Sequence, residues 1–461
     1  MKRKRFLLCF LIVALVSRTR WVDGEESVVK NLIQNPSFED MDATSGLPKV
    51  WKTWSPRQEI APKFEADANV AHSGRRSAKT TCAKYADFGH WVTTAPGLDP
   101  NKNYEVTCYF KTQGIASVHD SVWIKLGWKD AAGKLFTKEY VNHVEEQGDW
   151  HCAREITSGQ GKGVSLDIEL LAKWNDGGTV WWDDVGLVEA PTPKKIKARV
   201  ATVFFVPPAA STPEKNIQLF GEQVEEAGRQ GADLVVLGEA ITLVSTGKKA
   251  DEVAEPIPGP TTTAMGKLAA KHRMHIVVGI YERSGAAIYN SAALIGRDGK
   301  VIGVYHKTHL PEIEGEWGLT PGTTYPVFET DIGRIGMEIC YDNFFPEVAR
   351  ALACNGAQII VNPIWGDGRA NDYNWDIVAR ARAIDNAVYF IASMYSNKRS
   401  LIIDPRGYIL ADTAGRTGVV ISEIEIPNDV LTPGLSIGGY GKWRTLYPKE
   451  RREGTYDVLR K

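Results

Sequence analysis

The chain has 461 residues, too many for one ordinary hydrophobic core, so two or three domains are expected, two being the simpler count. Its 55 Lys and Arg against 56 Asp and Glu leave a net charge of −1, which offers no reason for nucleic acid or an anionic membrane to be the main partner. Hydrophobic residues at 43% and charged residues at 24% exclude a disordered chain and predict a packed core.

At the N-terminus a basic cluster, Lys2 to Arg5, precedes the apolar run Phe6 to Val16 and then Ser17-Arg18-Thr19-Arg20. This is the order of a secretory signal, and the apolar run is short for a bilayer span. Residues 1–24 are therefore expected to be a signal peptide cut near Val22-Asp23-Gly24, a short uncleaved anchor being the alternative. The protein is expected to be exported: secreted, periplasmic or at the cell surface. No later segment is long and apolar enough for a membrane span. Loss of Cys9 with the leader leaves Cys82, Cys108, Cys152, Cys340 and Cys354. Five cysteines exclude a disulfide-dense scaffold, permit one bridge among Cys82, Cys108 and Cys152, and leave at least one free thiol.

Residues 31–189 hold most of the Trp and show no helical period. Short alternating runs at 104–111, 121–129 and 164–171 are separated by Gly, Asp and Asn turns, which predicts an all-β sandwich. A Pro-containing stretch at 190–196, beginning Ala190-Pro191-Thr192-Pro193, is the expected linker. Beyond it, in residues 197–461, strand-like and helix-like runs alternate. Strands are predicted at 199–206, 233–237, 275–281, 334–339, 358–361 and 388–392, and helices at 216–230, 262–274, 345–355 and 373–386. Turns at Asp298-Gly299 and Pro405-Arg406-Gly407 mark hairpins. Such a series makes an α/β layered structure whose functional groups collect beyond strand ends.

Three reactive residues stand where apolar runs finish: Glu239, Lys307 and Cys340. A thiol attacks as thiolate and needs a base or a cation beside it. Glu239 can take the proton and later activate water; Lys307, with the Tyr341 backbone N–H, can stabilise an oxyanion. On residue type alone, a strand-end Cys is more often a small buried hydrophobe, and Glu and Lys are usually solvated.

The surrounding sequence reverses that. Asp233-Leu-Val-Val-Leu-Gly-Glu239, Tyr305-His-Lys307-Thr-His-Leu-Pro311 and Gly336-Met-Glu-Ile-Cys340-Tyr-Asp-Asn-Phe-Phe-Pro-Glu347-Val-Ala-Arg350 together resemble the nitrilase superfamily of carbon–nitrogen hydrolases. The resemblance implies a four-layer αββα sandwich, commonly a homo-oligomer with two subunits paired sheet to sheet, and a covalent thioester-type intermediate. It also implies a second Glu beyond the Lys; of Glu312, Glu314 and Glu316, the spacing in similar sequences favours Glu314. Tyr341-Asp342 follows Cys340 where many nitrilases have Trp-Glu, which turns the expectation to an amide or N-carbamoyl amine with ammonia release. Nitrile hydrolysis by the same site, or a catalytically silent glycan-binding surface protein, is the alternative. Tyr341, Asn362 and Trp365 are the expected substrate-binding residues, and Asn343-Phe344 leave no Arg pair for a substrate carboxylate. His306 and His309 flank Lys307, too few ligands for a metal, and no cofactor is expected. Cys354 is expected to be a buried structural thiol.

The front module opens Asn31-Leu-Ile-Gln-Asn-Pro-Ser-Phe-Glu39 and closes Val180-Trp-Trp-Asp-Asp-Val185, which resembles the jelly-roll carbohydrate-binding modules. Trp54, Trp91, Trp128 and Trp174 are the candidates for stacking on sugar, although most Trp in a β-sandwich serve its core. Some such modules hold a structural calcium with carboxylates in the positions of Glu39 and Asp184.

Overall fold

A computed structural model of the chain describes residues 19–22, 25–28, 30–366, 373–395, 399–427, 430–433 and 440–460. The expected signal peptide falls almost wholly outside them. The chain forms two units, one of residues 1–193 with 431–461 and the other of residues 194–430.

The first unit is a β-sandwich. One sheet has six strands in the order His143–Gln147, Trp150–Ser158, Asn103–Gln113, Thr179–Ala190, Ser77–Thr81, Lys63–Asp67. The other has seven: Leu431–Pro433, Tyr440–Lys442, Leu135–Tyr140, Val122–Lys129, Ser165–Lys173, Phe88–Pro96, Lys52–Trp54. The alternation read from the sequence is realised in Asn103–Gln113, which turns Tyr104, Val106, Cys108 and Phe110 inward. These meet Trp91, Leu126, Trp128, Leu166 and Ile168 of the opposite sheet in one core.

A permitted bridge is not formed, and one boundary differs from the reading of the sequence. Cys82, Cys108 and Cys152 are all free. Cys152 lies opposite Tyr109 and Cys108 opposite Ala153, so the two neighbours point to different faces of their sheet. The end of the chain also belongs to this unit rather than to the hydrolase-like one. Tyr440–Lys442 adds in parallel beside Leu135–Tyr140, and the helix Trp443–Glu450 lays Leu446 against Trp123, Tyr140 and Leu171. Tyr140 Oη donates to Glu450 at 2.8 Å, Asn142 Nδ2 to the Thr445 carbonyl at 2.9 Å, and Lys442 pairs with buried Glu139 at 2.8 Å. The segment covers both an open sheet edge and an apolar outer patch, which explains its choice of unit.

The second unit has four layers. Its first sheet runs Val301–His306, Ala287–Ile295, His275–Ser284, Leu234–Val236, Ile196–Phe204, Gly418–Ile426. Its second runs Val327–Thr330, Gly333–Met337, Ile359–Ile364, Tyr389–Met394, Leu401–Ile403, Ile409–Asp412. Val200, Leu234, Val236 and Val277 of one sheet pack on Ile335, Met337, Ile359 and Val361 of the other. The helices Pro213–Arg229 and Pro260–His272 cover the first sheet through Phe220, Val224, Met265 and Ala269. Pro346–Cys354 and Tyr373–Asn386 cover the second through Val348, Leu352, Ala379 and Ala383. The expected αββα arrangement follows. Central strands are parallel and buried on both faces, hence their unbroken apolar runs. The first and last strands of the unit, Ile196–Phe204 and Gly418–Ile426, pair antiparallel with Ile196 opposite Ile426.

Candidate active site

Glu239 and Cys340 each lie three residues beyond a parallel strand, Leu234–Val236 and Gly333–Met337, and Lys307 directly follows Val301–His306. The chain turns sharply at both strand ends: Ala240 has φ +48° and Cys340 φ +47°, left-handed backbone that a side chain adopts at a cost of about 1–2 kcal/mol. Gly279 stands beside the first turn, where a Cβ would lie 2.7 Å from Glu239 Cα.

Lys307 is enclosed, with 1% of its surface exposed, and Nζ donates to Glu239 Oε1 at 3.0 Å and to Glu314 Oε1 at 2.9 Å. Asn290 Nδ2 donates to the same two oxygens at 2.7 and 3.0 Å. The Trp365 backbone N–H donates to Glu239 Oε2 at 2.8 Å. Glu314 is buried on the short helix Glu312–Glu316 while Glu312 and Glu316 are exposed, so one of the three acids enters the cluster.

The electrostatics divide the roles. Burial works against the Lys307 ammonium, yet Glu239, Cys340 and Glu314 outweigh it and raise its pKa. Burial, then Glu239, pushes the Glu314 carboxyl up to about 7 against the pull of Lys307. Burial and then Glu239 also push the Cys340 thiol up to about 12, against Lys307 and the backbone N–H groups of Gly366 and Trp365. The resting thiol is thus protonated rather than a standing thiolate, and the chemistry this arrangement favours is proton transfer to a carboxylate as attack begins.

The expected substrate-binding residues separate. Tyr341 is exposed, its ring edge-on to Phe345 at 5.2 Å. Asn362 is fully buried, Oδ1 accepting from the Cys340 N–H at 2.6 Å and Nδ2 donating to Glu338 at 3.0 Å. Trp365 gives its backbone to Glu239 and packs its ring edge-on against Tyr395 at 5.8 Å. His306 bonds Glu282 at 2.8 Å, and His309 bonds Asp342 at 3.0 Å and stacks on Phe345, so each anchors the Lys307 loop. Cys354 is exposed, contrary to expectation, because it falls on the last turn of its helix. Asn290 and Tyr281 were not anticipated. Tyr281 lies directly across from Asn290 in the sheet, and burial, then Glu239 and Glu314, raises its phenol. The available signal was a polar pair, Asn290-Ser291, inside the otherwise apolar strand Ala287–Ile295.

In the first unit, Trp91 and Trp128 have no exposed surface and serve the core, so neither can stack on a sugar. Trp174 is overlain by the Arg452 guanidinium at 4.9 Å from its ring centre. Trp54 is 48% exposed, stacked on His90 at 5.0 Å. It lines a hollow of about 440 Å³ with Phe88, Lys125, Asp167, Glu169 and Leu171. Asp184 accepts from Ser37 and Ser73 and pairs with His72, and Glu39 Oε1 accepts two backbone N–H groups. Those oxygens already have donors, and among the described residues no cluster of three or more His, Cys, Asp or Glu is arranged for a metal ion.

A family profile for carbon-nitrogen hydrolases matches residues 199–428. The chain is 31% identical over 221 residues to omega-amidase NIT2 of Homo sapiens, covering 44% of this chain and 80% of that protein. It is 34% identical over 206 residues to the probable nitrilase C965.09 of Schizosaccharomyces pombe, covering 43% and 74%. Among solved structures, an amidase from Nesterenkonia sp. aligns at 20% identity and a TM-score of 0.47 over 57% of this chain and 96% of that one. Nit3 of Saccharomyces cerevisiae aligns at 27% and 0.45 over 50% and 90%. With a relative matched at 31% identity across 80% of its length, and the profile spanning both sheets, the chain belongs to the carbon–nitrogen hydrolase family, enzymes that cleave C–N bonds other than peptide bonds.

Proposed function

We propose that this is an exported amidase-type enzyme in which Cys340 attacks the carbonyl carbon of an amide or N-carbamoyl amine. The observation that carries the reading is the pair of buried carboxylates, Glu239 and Glu314, sharing Lys307 and Asn290 beside the thiol. As Sγ bonds to carbon, its proton passes to Glu239 and the oxyanion is met by Lys307. The C–N bond then breaks, Glu239 returns the proton to the departing nitrogen, and ammonia leaves. Water, deprotonated by Glu239, splits the thioester and restores Cys340. No metal or cofactor enters the scheme. Similarity to proteins named omega-amidase supports an amide over a nitrile.

Primary amides, N-carbamoyl amines and nitriles are to be offered to the protein and to Cys340→Ala while ammonia is measured. Release from amides or carbamoyl compounds by the wild type alone is expected; release from nitriles alone would replace the substrate class. Release from none of them, or equally by the variant, would sink the mechanism.

The solvent-facing Trp54 above its hollow favours a second role, glycan recognition by a jelly-roll-like first unit. Glycan-array binding lost in Trp54→Ala would support it, and no binding by the wild type would reduce the unit to a spacer. Export and homo-oligomer formation belong to the same reading; the mature N-terminus from a secreting host and the mass in solution test them.

A further inference from the structure

Behind the thiol a chain of contacts leads away from solvent. The Cys340 N–H donates to Asn362 Oδ1 at 2.6 Å, and Asn362 Nδ2 donates to Glu338 Oε1 at 3.0 Å. Glu338 and Asn362 have no exposed surface. Nothing in the proposed reaction uses Glu338, which follows the strand Gly333–Met337, two residues before the nucleophile, its own N–H donating to the Val361 carbonyl at 3.0 Å.

A carboxyl group enclosed at such a place is costly unless it does something an apolar side chain cannot. An Asn amide has two ends of nearly equal shape and opposite hydrogen-bonding sense. If it turned over, its NH₂ would meet the Cys340 N–H donor to donor. An acceptor beside Nδ2 selects the orientation that offers Oδ1 to Cys340, and Glu338 is that acceptor. The selection matters because Cys340 occupies left-handed backbone, φ +47°, a conformation held by its surroundings rather than preferred by the residue.

We propose that Glu338 is a positioning residue for the nucleophile: it sets the Asn362 amide, which grips the Cys340 N–H and holds the thiol toward Glu239. Burial, then Asp342, raises the Glu338 carboxyl well above the usual carboxylate range, against Arg382 and the Asn362 N–H. The part Glu338 plays toward Asn362 is that of an acceptor through Oε1, which the carboxamide oxygen of a Gln of the same shape can also supply.

The inference rests on Cys340 being the nucleophile, which Cys340→Ala tests separately. Its own test reads Cys340 by mass spectrometry as the rate of iodoacetamide alkylation at pH 8, in wild type, Glu338→Gln and Glu338→Leu, so that it does not depend on knowing the substrate. On any amide that wild type turns over, kcat and KM are read alongside, and thermal unfolding is recorded for each protein. Glu338→Gln is expected within threefold of wild type in alkylation rate and kcat. Glu338→Leu is expected to change the alkylation rate by more than threefold and to lose at least tenfold in kcat with KM within threefold. Unchanged alkylation and kcat in folded Glu338→Leu would overturn the proposal, as would a Gln variant as impaired as the Leu one. Should Glu338→Leu fail to fold, Asn362→Ser takes its place: a tenfold loss of kcat, or a threefold change in alkylation, supports the relay, and wild-type behaviour overturns it.

Discussion

Replacing Lys307 with Met would remove the one cation held between two enclosed acids while keeping most of its length. Nζ lies 3.0 Å from Glu239 Oε1 and 2.9 Å from Glu314 Oε1, and the acids are 2% and 6% exposed. Removing one partner of a buried ion pair costs about 3–5 kcal/mol, because the charge left behind has neither water nor counterion. In a unit of this size each kcal/mol moves Tm by about 2–4 °C, so a loss of roughly 6–20 °C is expected. The loss has a definite pH dependence. Glu314 sits at about 7 with Lys307 in place and rises further without it, against an ordinary value of 4.5. A carboxyl raised on folding contributes fully below its unfolded value and loses that contribution as pH climbs through the folded one. Lys307, also raised on folding, keeps its contribution in the wild type through the acid and neutral range. The variant's deficit should thus be small near pH 5 and full near pH 8.5. Scanning calorimetry of the whole chain at both values measures it, and a deficit equal at the two within 2 °C would refute the reasoning.

Three further outcomes are expected. Alkylation of Cys340 should rise about tenfold per pH unit between pH 6 and 9, since the thiol is pushed up to about 12; a plateau by pH 8 would mean a resting thiolate. kcat/KM should increase with pH through a group near 7 as Glu314 ionises, and that limb should vanish in Glu314→Gln; its persistence there would assign the group elsewhere. Leu446→Ala should destabilise the first unit by about 2–4 kcal/mol through loss of packing on Trp123, Tyr140 and Leu171, with ammonia release unchanged; a silent substitution would mean the C-terminal helix contributes no stability.

Much of the hydrolase unit was legible because its strands are buried on both faces and its helices carry one apolar stripe. The helix 373–386 was read at its observed limits, Tyr373–Asn386, and Pro213–Arg229 within three residues at its start. Glu239, Lys307 and Cys340 stood out because polar groups that end apolar runs reach a sheet rim. Glu314 could be separated from Glu312 and Glu316 by family spacing but not by pattern, since a five-residue helix has no period to read. Asn290 and Glu338 escaped because each is one polar residue within a strand-like run, and its partners lie on other strands. Trp91 and Trp128 were indistinguishable from Trp54 in sequence: which face a Trp takes depends on register, and both lie on strands whose alternate residues fill the sandwich. The pairing of the C-terminal segment with the first unit was not legible, because contiguity in sequence does not determine contiguity in space.

That segment changes what kind of object the chain is. The first unit is sewn from both flanks of the polypeptide, with the hydrolase inserted between them. Insertion is sterically easy because the hydrolase enters and leaves on neighbouring paired strands, Ile196 opposite Ile426, so its ends close like a short loop. A single cut within the hydrolase would leave the two flanks clasped through Tyr440–Lys442 and Leu446, and a cut at the Pro-containing linker would not free the first unit either. One proteolytic event therefore leaves the first unit and the inserted hydrolase on the same clasped polypeptide.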